Sequence, residues 1–274
     1  MTMRFRQILR RGVLSALARV ARRDERPSLR LFYLHRVSAP QAENFRAQIE
    51  ALKELGEFIT ATDVLAILRK EKPLDGRYFH LSFDDGFRDV LVNALPILKS
   101  CQVPATLFVS TAIIPGDFPS MADFRAHVRR FPRSFDKATW RELSLAREAG
   151  MEIGCHTRTH ARLSAISTSP ARLEDEILGS KAELERRLGA PCQFMAWPYG
   201  RQRDVDARAL EVVKFAGYSG CFGAFRGKVE PGMTDPFQIP RHHFEADWPL
   251  AHLRFFATGG VESWRGWRTP RAQG

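Results

Sequence analysis

The sequence predicts an α/β protein: a distorted (β/α) barrel of seven parallel strands with a basic amphipathic helix ahead of it. Three observations carry this expectation. Apolar, strand-like runs alternate with helix-patterned stretches along the chain, as in a parallel sheet wrapped by helices. The polar clusters His35, Asp84-Asp85, His156, Tyr199 and Arg241 each fall at the end of such a run, where a barrel presents its reactive groups. The chain of 274 residues is long enough to close one barrel, and its 44% hydrophobic and 27% charged composition is that of a globular protein.

In chain order, Leu31 to Val37 reads as a first core strand, followed by a helix from Ala42 to Leu55 with Phe45, Ile49, Leu52 and Leu55 on one face. A short strand lies near Phe58, and Thr62 or Asp63 caps a helix through Lys70. The stretch Tyr78 to Phe83 is aromatic and apolar and ends in Asp84-Asp85-Gly86, where Gly86 suits a positive φ. A helix over Val90 to Ser100 carries Pro96 as a kink, and Pro104 to Ser110 is a strand. Residues 113–136 have no strand pattern and read as a surface insertion shaping access, with Phe118, Phe124, Arg125, Arg129 and Arg130. Then come helix Thr139 to Ala149, strand Met151 to His156, and a long helix from Pro170 to Leu188 closed by Gly189. Strand Cys192 to Trp197, helix Asp204 to Ala216, strands Tyr218 to Phe222 and Phe237 to Arg241, and helix Pro249 to Ala257 complete the run. The expected organisation is therefore a basic segment over 1–28, a barrel over 29–258 and a tail over 259–274.

The net charge of +11 is concentrated at one end. Residues 1–30 hold nine arginines against Asp24 and Glu25, or +7, leaving +4 for all the rest. That distribution argues against a nucleic-acid groove across the fold. Phe5, Leu9, Val13, Ala16, Leu17 and Val20 recur at helical spacing opposite arginines, so residues 1–23 offer a peripheral contact with an anionic membrane surface, or else a partly disordered arm or a helix packed on the body. No apolar run is long enough to span a bilayer. Four cysteines without metal-site spacing read as buried thiols of a reducing compartment. The expectation is a cytoplasmic chain, peripheral at the inner membrane face, with export left open because Ala16-Leu17-Ala18 mimics a cleavage site.

The chemistry centres on carboxylates and imidazoles. Adjacent strand residues face opposite ways, so Asp84 and Asp85 take different roles only if the turn re-aims one of them; taken alone, the pair reads as a solvated turn. His156 and His160 are four apart, close enough to share a metal if the segment makes a helical turn. With Asp85 they form a two-histidine, one-carboxylate set with open positions, leaving Asp84 to accept a proton from water. Non-haem iron oxygenases use the same ligand type.

Three ordered motifs, Ser82-Phe83-Asp84-Asp85-Gly86, His156-Thr157-Arg158-Thr159-His160 and Trp197-Pro198-Tyr199-Gly200, resemble those of the NodB-type polysaccharide deacetylases, carbohydrate esterase family 4. The likeness covers roughly residues 30 to 245. It implies that Asp84 is the general base and that Asp85, His156 and His160 hold one divalent metal, usually zinc. It also makes Pro198 and Tyr199 a wall of the site, with the Tyr199 amide on the oxyanion. Two departures stand out. Many members have Arg where this chain has Ala196, and Arg241 is the candidate replacement beside Asp84, against the reading of an ordinary surface Arg. The late leucine-x-histidine acid is missing too, since His252-Leu253 has the order reversed. Tyr33-Leu34-His35-Arg36-Val37 instead resembles the first strand of exopolysaccharide-type and biofilm-type deacetylases, which makes His35 the acid or else a structural histidine. His242, His243 and Asp247-Trp248 fall near the same rim, and Trp197 and Trp248 either stack on a sugar or belong to the core. The implied substrate is an N-acetylated glycan. Removal of formyl or O-acetyl groups is the enzymatic alternative, and a silent glycan-binding module on the same barrel is the non-enzymatic one.

Overall fold

In a computed structural model of the chain, residues 26–115, 126 and 136–260 are described. The expectations for residues 1–23, for most of the 113–136 insertion and for nearly all of the tail lie outside them. Eight strands form one sheet: β1 Ser28–Leu34, β2 Glu57–Phe58, β3 Arg77–Phe83, β4 Ala105–Val109, β5 Glu152–Cys155, β6 Phe194–Ala196, β7 Gly220–Phe222 and β8 His242–His243. Seven follow one path in the order β7-β6-β5-β4-β3-β1-β8, and short β2 pairs with the start of β3. All ladders are parallel. Ile239 bridges Phe222 in parallel and, three residues later, His242 pairs with Phe32, so a single segment touches both edges of the curled sheet. This is the distorted barrel that the alternating pattern predicts.

The strands are buried on both faces, as parallel strands under helices must be. Alternate residues divide between two clusters. Phe32, Leu34, Leu107, Val109 and Met195 face the surrounding helices. Leu29, Leu31, Phe108, Phe194, Phe222 and Ile239 form the second cluster together with helix Ala61–Leu68. Register aligns the strand ends. Leu34 pairs with Phe83, Val109 with Cys155 and Ala196 with Phe222, so His35, Asp84, His156 and Trp197 all emerge at one rim. The hydrogen bonds from Asp84 N–H to Leu34 O (3.0 Å) and from His156 N–H to Val109 O (2.8 Å) extend the ladders one step into it.

Several elements depart from expectation. The helix carrying Pro96 holds a π-turn over Val90–Ala94 that runs into the α-helical part Leu95–Cys101, with Pro96 at the start of that part. The stretch 170–188 is helical throughout but contains a π-turn over Asp175–Gly179, between Pro170–Glu174 and Ser180–Leu188. Gly189 ends it at φ 62°, the left-handed stop its position predicts. The last strand is not Phe237 to Arg241. Pro240 offers no N–H to a ladder, so pairing there shrinks to the Ile239 bridge and resumes at His242–His243. All four cysteines are free and buried, as expected of unreactive thiols.

Candidate active site

The strand ends surround a cavity of about 610 Å3, lined among others by Tyr33, His35, Asp84, Asp85, His156 and His160. Asp84 continues the inward face of β3 and is only 3% exposed. Asp85 takes φ 72°, and this left-handed step turns the second carboxylate away from the alternation that would have sent it outward. Gly86 follows at φ 66°, where a Cβ would lie 2.9 Å from a Val109 methyl. The pair thus lines the cavity and is not a solvated turn.

Arg241 is completely buried and meets Asp84 fork to fork, with Nη1 to Oδ1 and Nη2 to Oδ2 both at 2.8 Å. Its Nη1 also donates to Ser82 Oγ at 2.9 Å, and Nε donates to Gly223 O at 2.7 Å. The guanidinium lies 4.6 Å from the Tyr33 ring centroid and 5.3 Å from that of Phe108. Arg241 is therefore a buried partner of Asp84 and not an ordinary surface arginine. Burial pushes the Asp84 carboxyl up, but the Arg241 charge beside it and further contributions from neighbouring imidazoles outweigh that and hold it below the usual carboxylate range. Burial, with the Asp84 charge adding to it, pushes the Tyr33 phenol up to about 12 despite the Arg241 charge, so it stays protonated.

The His156–His160 segment does not make the expected helical turn. It is a bend with Thr157 at φ 63° and His160 at φ 61°, and it still brings the two rings to 5.0 Å between centroids. His156 Nε2 and His160 Nε2 lie 3.5 and 3.1 Å from Asp85 Oδ1, and one donor atom from each of the three residues falls within 4.8 Å of the others. His156 Nδ1 sits 2.6 Å from Ala196 O, so it carries the proton and Nε2 presents a lone pair. Burial keeps this imidazole neutral, with its pKa pushed down to about 4. A neutral Nε2 and an ionised carboxylate then face each other as two acceptors, and Asp85 Oδ1 is buried without a hydrogen bond. A cation resolves that opposition, so the donor set fits a divalent metal.

On the facing rim, Tyr199 is 53% exposed at φ 64°, with its ring 5.1 Å from that of His160 and covered by the Arg162 guanidinium at 4.3 Å. Arg162 also pairs with the fully buried Asp204, which accepts the Arg201 N–H at 3.0 Å and so pins this loop. Pro198 is buried behind Tyr199. Trp197 is completely buried, stacked on Phe225 and donating from Nε1 to Arg201 O at 3.1 Å, so it underlies the cavity as core. Trp248 is likewise buried at 8%. His35 lies at the cavity, 5.8 Å ring to ring from His243, whose Nε2 is 3.0 Å from Glu245 Oε1. His242 and His252 are buried.

Residues 71–221 match the polysaccharide deacetylase domain family. The chain belongs to the polysaccharide deacetylase family. A poly-beta-1,6-N-acetyl-D-glucosamine N-deacetylase of Staphylococcus aureus (strain MRSA252) is 27% identical over 205 residues, which cover 72% of this chain and 64% of that relative. The chain thus matches less than two thirds of that relative's length. Among solved structures, IcaB from Ammonifex degensii superposes with a TM-score of 0.65 at 21% identity, covering 84% of this chain and 98% of that one. The Streptococcus pyogenes deacetylase PplD, solved in complex with acetate, gives 0.66 at 20% identity over 85% and 98%. At these identities the structural likeness speaks for the fold, and this chain has the same barrel.

Three contributors had no role in the sequence reading of the site: Ser82, although it stands in the first motif, Glu176, whose carboxylate accepts the Arg158 and Thr159 N–H groups behind the histidine bend, and the Arg162–Asp204 pair. Ser82 was within reach of it, since it lies two residues before Asp84 on the same strand face. The others come from different elements and carry no local signal.

Proposed function

We propose that this polysaccharide deacetylase removes N-acetyl groups from the amino sugars of an exopolysaccharide-type glycan in a metal-dependent hydrolysis. The observation that carries the proposal is the buried Asp84–Arg241 pair beside the Asp85, His156 and His160 donor set. It joins an ionised base that binds no metal to three ligands that would. Asp85, His156 and His160 would hold the metal, and two imidazoles with one carboxylate suit zinc. When bound, such an ion supplies Lewis-acid polarisation of the acetyl carbonyl and a lowered pKa for water.

Asp84 takes the proton of the attacking water, its orientation set by the Arg241 fork. As the water oxygen bonds to the acetyl carbon, the Tyr199 backbone N–H donates to the developing oxyanion, a contribution of about 3 to 4 kcal/mol where one such donor has been removed elsewhere. His35 in its protonated form delivers a proton to the sugar nitrogen as the C–N bond breaks, giving acetate and a free amine. A carboxylate base and an imidazole acid divide the two proton transfers near neutral pH. The named activity of the staphylococcal relative, acting on poly-beta-1,6-N-acetyl-D-glucosamine, makes β-1,6-linked N-acetylglucosamine oligomers the first substrate to test.

The test is acetate release from such oligomers by zinc-loaded protein, with formate release from formylated amino sugars measured in parallel. Asp84→Asn should lower acetate release by about 10²-fold or more while leaving zinc binding intact. Zinc bound stoichiometrically with no acyl group released from any amino sugar would end the hydrolase reading. Formate without acetate would redirect it to deformylation.

A further inference from the structure

A carboxylate with no part in the proton transfers lies behind the His156–His160 bend. Glu176 belongs to the π-turn Asp175–Gly179 of an outer helix, yet it is only 3% exposed. Its Oε2 accepts the backbone N–H groups of Arg158 at 2.9 Å and Thr159 at 2.8 Å, and its Oε1 accepts the Thr159 hydroxyl. Successive N–H groups following a left-handed residue, here Thr157, form a concavity that attracts anions. This chain fills that concavity with its own carboxylate. The support is itself anchored, because Ser180 Oγ donates to Glu176 O at 2.6 Å and lies 3.0 Å from Cys155 Sγ at the end of β5.

The opposite side of the bend is held as well. Ala112 N–H donates to Arg158 O at 2.8 Å, and Ser110 Oγ donates to His156 O at 2.7 Å. Left-handed conformations at Thr157 and His160 are strained for residues with a Cβ and persist only when their surroundings over-determine them. Glu176 provides three of the hydrogen bonds that do so, immediately before His160.

We propose that Glu176 is a positioning residue for His160: its carboxylate holds the left-handed bend and thereby the spacing of the Asp85, His156 and His160 donors. This rests on reading those donors as a metal site. All three groups donate to the Glu176 carboxylate, and the two N–H groups share its Oε2; an amide could meet the Thr159 hydroxyl only by reversing that bond and would lose the charge that strengthens all three. Partners outside the ligand set that orient metal ligands are commonly worth about 10- to 100-fold in metal affinity.

The experiment measures zinc affinity of the full chain without substrate, by competition with a chromophoric chelator, together with the visible spectrum of the cobalt-substituted protein. Glu176→Gln should weaken zinc binding about 10- to 100-fold and alter the cobalt spectrum, and Thr159→Val should do the same by about tenfold or less. Asp175→Ala removes only the exposed ion pair with the Arg158 side chain and should leave the affinity unchanged. Affinities and spectra of Glu176→Gln and Thr159→Val that match the parent overturn the assignment. If Glu176→Gln does not fold, an unchanged Thr159→Val overturns it alone. A parent that binds zinc but releases no acyl group defeats the proposed reaction and leaves Glu176 in its role; a parent that binds no zinc defeats both.

Discussion

A guanidinium with no exposed surface is tolerable only with its charge matched and its donors used, and Arg241 meets both conditions through Asp84, Ser82 and Gly223. Breaking such a pair from one side leaves the other charge buried, which typically costs about 3 to 5 kcal/mol. Arg241→Ala should lose stability on that order in denaturant titrations at pH 7. The Asp84 pKa is depressed in the folded chain, so the stabilisation from the pair is present at neutral pH and fades as pH falls through that lowered value. Without Arg241, burial prevails and the pKa rises. The acidic limb of kcat/KM should therefore move to higher pH in Arg241→Ala, and a limb that stays in place would refute the coupling. Arg241→Lys keeps the charge but not the fork, and should fall between the two.

The loops that follow the strands are where the backbone departs from ordinary geometry. Asp85, Thr157, His160 and Tyr199 are all left-handed without being glycine, four of the six such residues among those described; the other two, Lys70 and Gln102, lie just past helix ends. The Tyr199 loop depends on its neighbour Gly200, at φ 69°, where a Cβ would fall 2.0 Å from Ala224 Cβ and 2.5 Å from Ala224 N. No rotamer change relieves a clash with backbone. Gly200→Ala should displace the Tyr199 amide, lowering kcat by about tenfold or more if that amide serves the oxyanion, with zinc affinity preserved because the ligands come from other loops. A loss of zinc binding in parallel would show that the two loops do not act separately. Strand and helix types were legible from periodicity, since burial on one face or both leaves its mark along the chain. Both π-turns and the true position of β8 were not, because they arise from fitting Pro96, Glu176 and Pro240 to neighbours distant in sequence.

Across the whole molecule, another buried imidazole, that of His80, lies away from the cavity lining. His80 is fully buried, stacked on Phe222, with Nδ1 3.1 Å from Ile59 O, and burial pushes its pKa down to about 4. The unfolded chain takes up this proton near its ordinary value of about 6.5, so stability declines as pH falls from there toward 4. Between pH 7 and pH 4.5 the parent should lose roughly 2 to 3 kcal/mol more than His80→Asn, which keeps a donor toward Ile59 O. Chemical denaturation at both pH values reads this difference directly, and equal losses would mean that His80 is not a buried neutral group. His156 contributes in the same direction but is present in both proteins and cancels.

By itself the sequence determined the alternation of strands and helices and the rim at which the polar clusters gather. Each of these follows from local pattern: burial sets periodicity, and a strand end sets where a side chain emerges. Only the tertiary structure decided that Arg241 meets Asp84 across 157 positions, that the histidine pair closes through a left-handed bend, and that Glu176 underlies it. Those contacts depend on which strands lie side by side in a curled sheet and on which helix covers them. Hydrogen bonds between remote segments leave no periodic trace in the chain that makes them.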